Sequence, residues 1–263
     1  MIGRPAVPLE KRIFGALEIL FTMGGFLVLS WTFGLHVADA GLGLHVGALF
    51  AIFVLYAGYL SPVFLHQDSL ERRGLGSLRT AFVRTDNFFP AARRFGWMTF
   101  WIGFGLIGWA LIRNPRVFFE IRPEAVVLKF GFYLISAFVQ GLILIGFLMN
   151  RIADLFPVRE GDPASFRRGR FGTSLVTGLI FAAFHLPNPP LMILTFLMGS
   201  SMIWISYTTP NLVVMAGCHA LLGTILHRVV QIHMRIGPFY HRPDVYAIRH
   251  FIPGVKELIG DRF

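Results

Sequence analysis

Apolar positions fall into seven long runs, at about 13–34, 42–64, 95–112, 125–150, 171–186, 190–207 and 211–233. A membrane-crossing helix takes about 20 apolar residues. The pattern therefore predicts an all-α, polytopic transmembrane bundle of about seven helices. The longest polar stretches are 66–94, 151–170 and the tail after 234. No break in composition and no internal repeat divides the chain, so 1–263 reads as a single integral membrane domain.

Composition agrees with the pattern. Of 263 residues, 55% are hydrophobic and 14% are charged. A soluble domain carries about 25% charged residues, so there is too little charge here to cover a water-facing surface. The mean hydropathy of +0.63 equally excludes a disordered chain. Lys and Arg number 24 against 14 Asp and Glu, for a net charge of +10. These basic residues lie between the apolar runs, which points to loops held at the cytoplasmic membrane surface and not to nucleic acid. Cys218 is the single cysteine, so no intrachain disulfide can form and a buried thiol is expected.

The expected setting is a bacterial inner membrane with the N-terminus cytoplasmic. Arg4, Lys11 and Arg12 precede the first run, which reads as a retained helix and not a cleaved signal. Arginines at 72, 73, 79, 84, 93 and 94 follow the second run, and arginines at 151, 159, 167, 168 and 170 follow the fourth. The tail breaks this alternation. Arg228, Arg235, Arg242, Arg249, Lys256 and Arg262 would lie outside if all seven runs cross. Either a short run near the proline-rich HLPNPP at 185–190 does not cross fully, or the tail is an exception. The tail 234–263 mixes basic and aromatic residues, as an interfacial segment, a docking arm or a partly ordered end would.

Ionisable groups at membrane depth are costly and mark candidate sites. Here they are Glu18, His45, Lys129, His185, His219 and His227, joined by the neutral Gln140 and Asn150. Glu18 is expected to snorkel or to pair with a basic neighbour. His45, Lys129 and His227 lie near run ends, where an interfacial position suffices. His219 is different, since it lies about 13 Å into the last run at 1.5 Å per residue. Ala216, Gly217, Ala220 and Gly223 around it are small, so it is expected to face other helices.

Phe181–x–x–x–His185 followed by LPN, then the stretch 196–223 with Gly199, Thr208, Asn211, Leu212, His219 and Ala220, resembles the CPBP family. These are the CAAX-processing and bacteriocin-processing (Abi) intramembrane endopeptidases. The resemblance covers about 130–225, and a CPBP-like core over 125–233 is expected. The family carries three motifs on separate helices: EExxxR, FxxxH, and HxxxN or HxxxD. Its first motif segment aligns with QGLILIGFLMNRI at 140–152, where Gly146, Leu148, Asn150 and Arg151 fit. The departures fall on the polar positions. Gln140 and Gly141 replace the glutamate pair, Ile145 replaces the arginine, and Gly223 replaces the last Asn or Asp. Only His185 and His219 remain.

In the family, as the resemblance implies, the glutamate pair activates a water, the histidines assist and the Asn stabilises an oxyanion. An amide such as Gln140 can orient a water but cannot take its proton. Losing an oxyanion donor costs about 10²–10³ in rate. The expectation is a catalytically degenerate relative that binds, scaffolds or assembles with other membrane subunits, or holds a lipid or isoprenoid. The alternative is an active endopeptidase using His185 and His219, with Glu18 supplied from the first run. No cofactor is expected; a metal or haem shared by His185 and His219 would need a third ligand that the sequence does not supply. A transporter or channel would need a polar pathway across several helices, which the few buried polar residues do not make.

Overall fold

The computed structural model describes residues 7–40, 43–81 and 83–241. The second half of the tail, with Arg242, Arg249, Lys256 and Arg262, lies outside the described residues, as do Arg4 and the side chain of His45. Seven long helical rods account for the seven apolar runs among the described residues. We label them α1 (9–40), α2 (43–65), α3 (Phe88–Arg113), α4 (123–155), α5 (Pro163–Ala183), α6 (Pro189–Ser206) and α7 (Leu212–Arg228). A single turn at Val117–Glu120 links α3 to α4.

The rods outrun the apolar stretches where local signals favour helix. α3 begins at Phe88 and takes in Arg93 and Arg94. α5 begins at Pro163, with Asp162 as its cap. The Asp162 carboxylate accepts from the N–H groups of Ala164 and Ser165, and these bonds hold its pKa below the ordinary carboxylate range. The last rod ends earlier than its run, at Arg228, and the chain then turns back over the bundle. Within α1, α2 and α4 the helix widens into π turns at Leu20–Gly24, Tyr56–Leu65 and Leu142–Met149. The last of these lies in the segment aligned with the first family motif.

Long-range bonds sort the helix ends into two groups. At one end Arg12 at the start of α1 donates to the Leu155 carbonyl at the end of α4 (3.0 Å). There, too, Arg94 of α3 reaches Thr208 and Thr209 beyond α6, and Arg170 of α5 donates to the Trp204 carbonyl at 2.8 Å. Asn211 caps α7 and ties it to the 66–87 loop through the Arg84 carbonyl (2.8 Å) and Asn87 Oδ1 (2.9 Å). Gly74, at φ 73°, places its carbonyl 2.9 Å from the Leu212 N–H, and a Cβ there would crowd the backbone of 210–212. At the opposite end lie the close of α5, the start of α6 and the segment after α7, joined by Gly237 N–H to the Leu186 carbonyl at 2.6 Å. The rods therefore alternate in direction, and the segment after α7 emerges opposite the N-terminus.

Among the described residues, five helical stretches are long and apolar enough to cross a membrane: Leu9–Thr32, Gly47–Leu65, Phe88–Arg113, Pro123–Leu155 and Pro189–Ser206. The protein is an integral membrane protein. α5 falls outside this set and α7 is a shorter apolar helix; α7 carries His219, and His185 lies in the turn that closes α5. α5 packs along α6, and α7 lies between α3 and the first half of α4. Gly178 makes the α5–α6 approach possible, since a Cβ there would stand 2.1 Å from Ser200 Oγ and 3.0 Å from the Phe196 carbonyl. The core gathers Phe95, Ile145, Phe147, Leu148, Met202, Ile203, Leu212 and Met215. Cys218 is free and half-buried, not fully buried.

Candidate functional site

FxxxH is a structural unit as well as a sequence motif. In the turn just beyond α5 the imidazole of His185 lies edge-on to Phe181, with ring centroids 4.9 Å apart at 82°. His219 of α7 meets the same ring at 5.8 Å and 89°. Phe181 thus stands in edge contact with both histidines. It is fixed from behind by Gly199 of α6, where a Cβ would come within 2.9 Å of Phe181 Cδ1. His185 Nδ1 lies 2.8 Å from the Phe181 carbonyl, which can only accept, so Nδ1 carries the proton. In the neutral ring that leaves Nε2 as an acceptor. His219 is 7% exposed, and its Nδ1 has no hydrogen-bond partner among the described residues.

Both histidines line a cavity of about 340 Å³, together with Lys129, Tyr133, Gln140, Gly223, His227 and the 233–236 segment. A second cavity of about 540 Å³ adjoins it and shares Phe132, Ser136, Gln140, His185 and Ile236. Its remaining lining is mostly aromatic and aliphatic, from α1, α2, α4 and α5. Among the described residues lining the two cavities there is no Asp or Glu.

Gln140 faces both cavities. Its Nε2 donates to Ser136 Oγ at 2.9 Å, and its shielded Oε1 has no partner among the described residues. Gly141 points the other way and is buried against α7. A Cβ there would meet Leu212 Cδ1 at 2.5 Å and Met215 Cε at 2.6 Å. Ile145 is fully buried in the apolar core, so the position of the motif arginine holds no polar function. Gly223 lies under Tyr133, whose ring would be 3.3 Å from an added Cβ.

Glu18 does not join this site. It is 6% exposed and bound into a separate network at the far end of the bundle. Tyr56 donates to it at 2.9 Å, His66 Nε2 lies 2.8 Å away, and Arg151 Nε lies 3.4 Å away. Arg151, 1% exposed, also pairs with Asp68 at 2.7 Å. Arg72 continues the chain of charges to Asp68 and Asp154, each at 3.3 Å. Of the two expectations for Glu18, pairing is what occurs. The idea that it reaches the histidines is corrected: its carboxylate is already committed to Arg151 and His66. Arg151, expected in a loop, is the largest fully buried side chain among the described residues.

Two parts of the site escaped the sequence. His227 was expected at the interface but lines the cavity. The segment after α7, expected to belong to a continuing helix and a tail, forms part of the cavity wall. Asn188, buried at the start of α6, caps that helix through Leu191 N–H and donates to the carbonyls of His233 (2.8 Å) and Arg235 (3.2 Å). Partial desolvation and the adjacent Arg235 lower the pKa of His233. The Asn of HLPNPP was the available signal, since a buried Asn has four bonds to place.

Among the described residues no group of three or more His, Cys, Asp or Glu side chains is arranged to hold a metal ion. Residues 122–225, from the start of α4 to near the end of α7, match a family model described as Rce1-like: type II CAAX prenyl endopeptidase Rce1-like. Neither a curated protein nor a solved structure matches the chain.

Proposed function

We propose that this membrane protein of the Rce1-like CAAX protease family has lost hydrolysis and serves as a binding or assembly subunit of a membrane complex. The observation that carries the reading is Gln140. At the position where the family keeps its first glutamate, the side chain that lines the cavity with both histidines is an amide. Hydrolysis of a peptide needs a group that takes a proton from water, and an amide does not. The second glutamate position, Gly141, is closed by Leu212 and Met215. Glu18, the nearest substitute the sequence offered, is held by Arg151.

What persists is a cavity of a size that small-molecule sites occupy, about 300–1,000 Å³. Its apolar lobe suits the chain of a lipid or isoprenoid. The membrane we infer is a bacterial inner membrane. The arginine-rich end, with the start of α1 and the 66–87 and 156–162 loops, faces the cytoplasm.

Purification in mild detergent, with identification of co-eluting protein and lipid, tests this reading. A stoichiometric membrane partner or a retained lipid is expected. A protein recovered alone and lipid-free in several detergents would count against it.

A further inference from the structure

The formal charges among the described residues lining the cavity at His185 and His219 are of one sign. Lys129 of α4 and Arg235 of the segment after α7 both line it, with four imidazoles, from His185, His219, His227 and His233. No carboxylate stands among its described lining residues. The Lys129 ammonium lies 5.3 Å from the centre of the Tyr133 ring, within the same lining. The backbone of Arg235 is held at the cavity wall because its carbonyl accepts from Asn188 at 3.2 Å. A concave site lined by one sign of charge inside low-dielectric walls concentrates the opposite charge. The adjoining lobe, at about 540 Å³, is walled by Phe26, Phe50, Phe53, Val139, Leu144 and Phe184. Gln140, Ser136 and His185 lie where the two lobes meet.

We propose that the joined cavities bind a single-chain amphiphile with a phosphate monoester head, the head among Lys129, Arg235 and the histidines, the chain in the aromatic lobe. This rests on the binding reading above and names its ligand. A phosphate monoester carries about −1.5 to −2 charge at pH 7, which the two formal cations match. Its three terminal oxygens can accept from an ammonium, a guanidinium fork and the ring N–H of His219, whose Nδ1 has no partner among the described residues. A carboxylate offers half that charge and fewer acceptor positions. A free phosphate would leave the apolar lobe unused.

The test is a binding titration on the full chain in phosphatidylcholine nanodiscs, read by native mass spectrometry. The probes are dodecyl phosphate, dodecanoate, dodecanol and inorganic phosphate. Dodecyl phosphate is expected to bind at least about tenfold more tightly than each of the other three. Lys129→Gln with Arg235→Gln is expected to weaken dodecyl phosphate about tenfold or more and to leave dodecanol unchanged. Arg235→Gln alone lies outside the helices, so it carries the same expectation, with a smaller effect, should the double variant not fold. Equal binding of dodecanol or dodecanoate would overturn the phosphate head, and equal binding of inorganic phosphate would overturn the chain lobe. Unchanged dodecyl phosphate affinity in the folded variants would overturn the assigned cations. Peptide cleavage by the same sample would instead overturn the proposed loss of hydrolysis and leave this binding result standing.

Discussion

Gln140 and Gly141 are adjacent in sequence and opposite in circumstance. Gln140 looks into the cavity, so Gln140→Glu fits without steric change. Gly141 is packed by α7, so Gly141→Glu must displace Leu212 and Met215. Overpacking of this kind costs about 1–3 kcal/mol, and thermal unfolding in detergent should show Gly141→Glu well below the wild type and Gln140→Glu close to it. Equal stabilities would mean that the α4–α7 contact is looser than described. Arg151 makes a second residue-scale case. It is buried beside Glu18 and Asp68, and removing one member of a buried ion pair typically costs about 3–5 kcal/mol. Arg151→Ala should therefore lose folded protein in size-exclusion chromatography. Glu18→Gln should likewise act on stability and not on chemistry at the histidines. In the sequence Arg151 is only a matching letter of the first motif segment. Its burial depends on Glu18 and Asp68, 133 and 83 positions away in the chain, and no local pattern reports such a pairing.

At the scale of elements, the apolar runs located all seven rods, because length and hydropathy alone decide where a helix can lie in lipid. Their ends were less legible. α3 and α5 begin in arginine-bearing sequence, where hydropathy falls but the backbone remains helical. α7 stops at Arg228 although apolar residues continue, because the following segment bends to meet Asn188. Asn188 thus has two duties, capping α6 and holding the cavity wall. Asn188→Ala is expected to cost about 1–2 kcal/mol as a lost cap. It should also raise amide hydrogen exchange selectively over 231–236. A stability loss with unchanged exchange there would reduce Asn188 to a cap. Asp162 gives a pH-dependent counterpart at the start of α5. Its folded pKa lies below its unfolded one, so its contribution is present above the unfolded value and fades as pH falls through the folded value. Asp162→Ala should flatten the acid limb of the unfolding profile, as followed by circular dichroism between pH 5 and pH 2.

For the whole molecule, the alternation of rods places the N-terminal end and the segment after α7 on opposite faces. The basic-loop pattern had left this open, because the tail's charge conflicts with it. Single-cysteine variants at Ser77 and Gln231 in a Cys218→Ala background should label from opposite sides of sealed vesicles; labelling from one side would break the topology. Phe181 with His185 was legible as a motif, whereas the contact of His219 with the same ring exists only once α5 and α7 meet. The charged rim was not, since Lys129, His227, His233 and Arg235 converge only after α4, α7 and the returning segment meet. The surviving pocket is proposed to have lost peptide hydrolysis. The most direct measurement is cleavage of prenylated and unprenylated CAAX-type peptides by the pure protein in proteoliposomes, beside His185→Ala and His219→Ala. The account predicts product at the protein-free background in all samples. Turnover in the wild type that either histidine variant abolishes would contradict it.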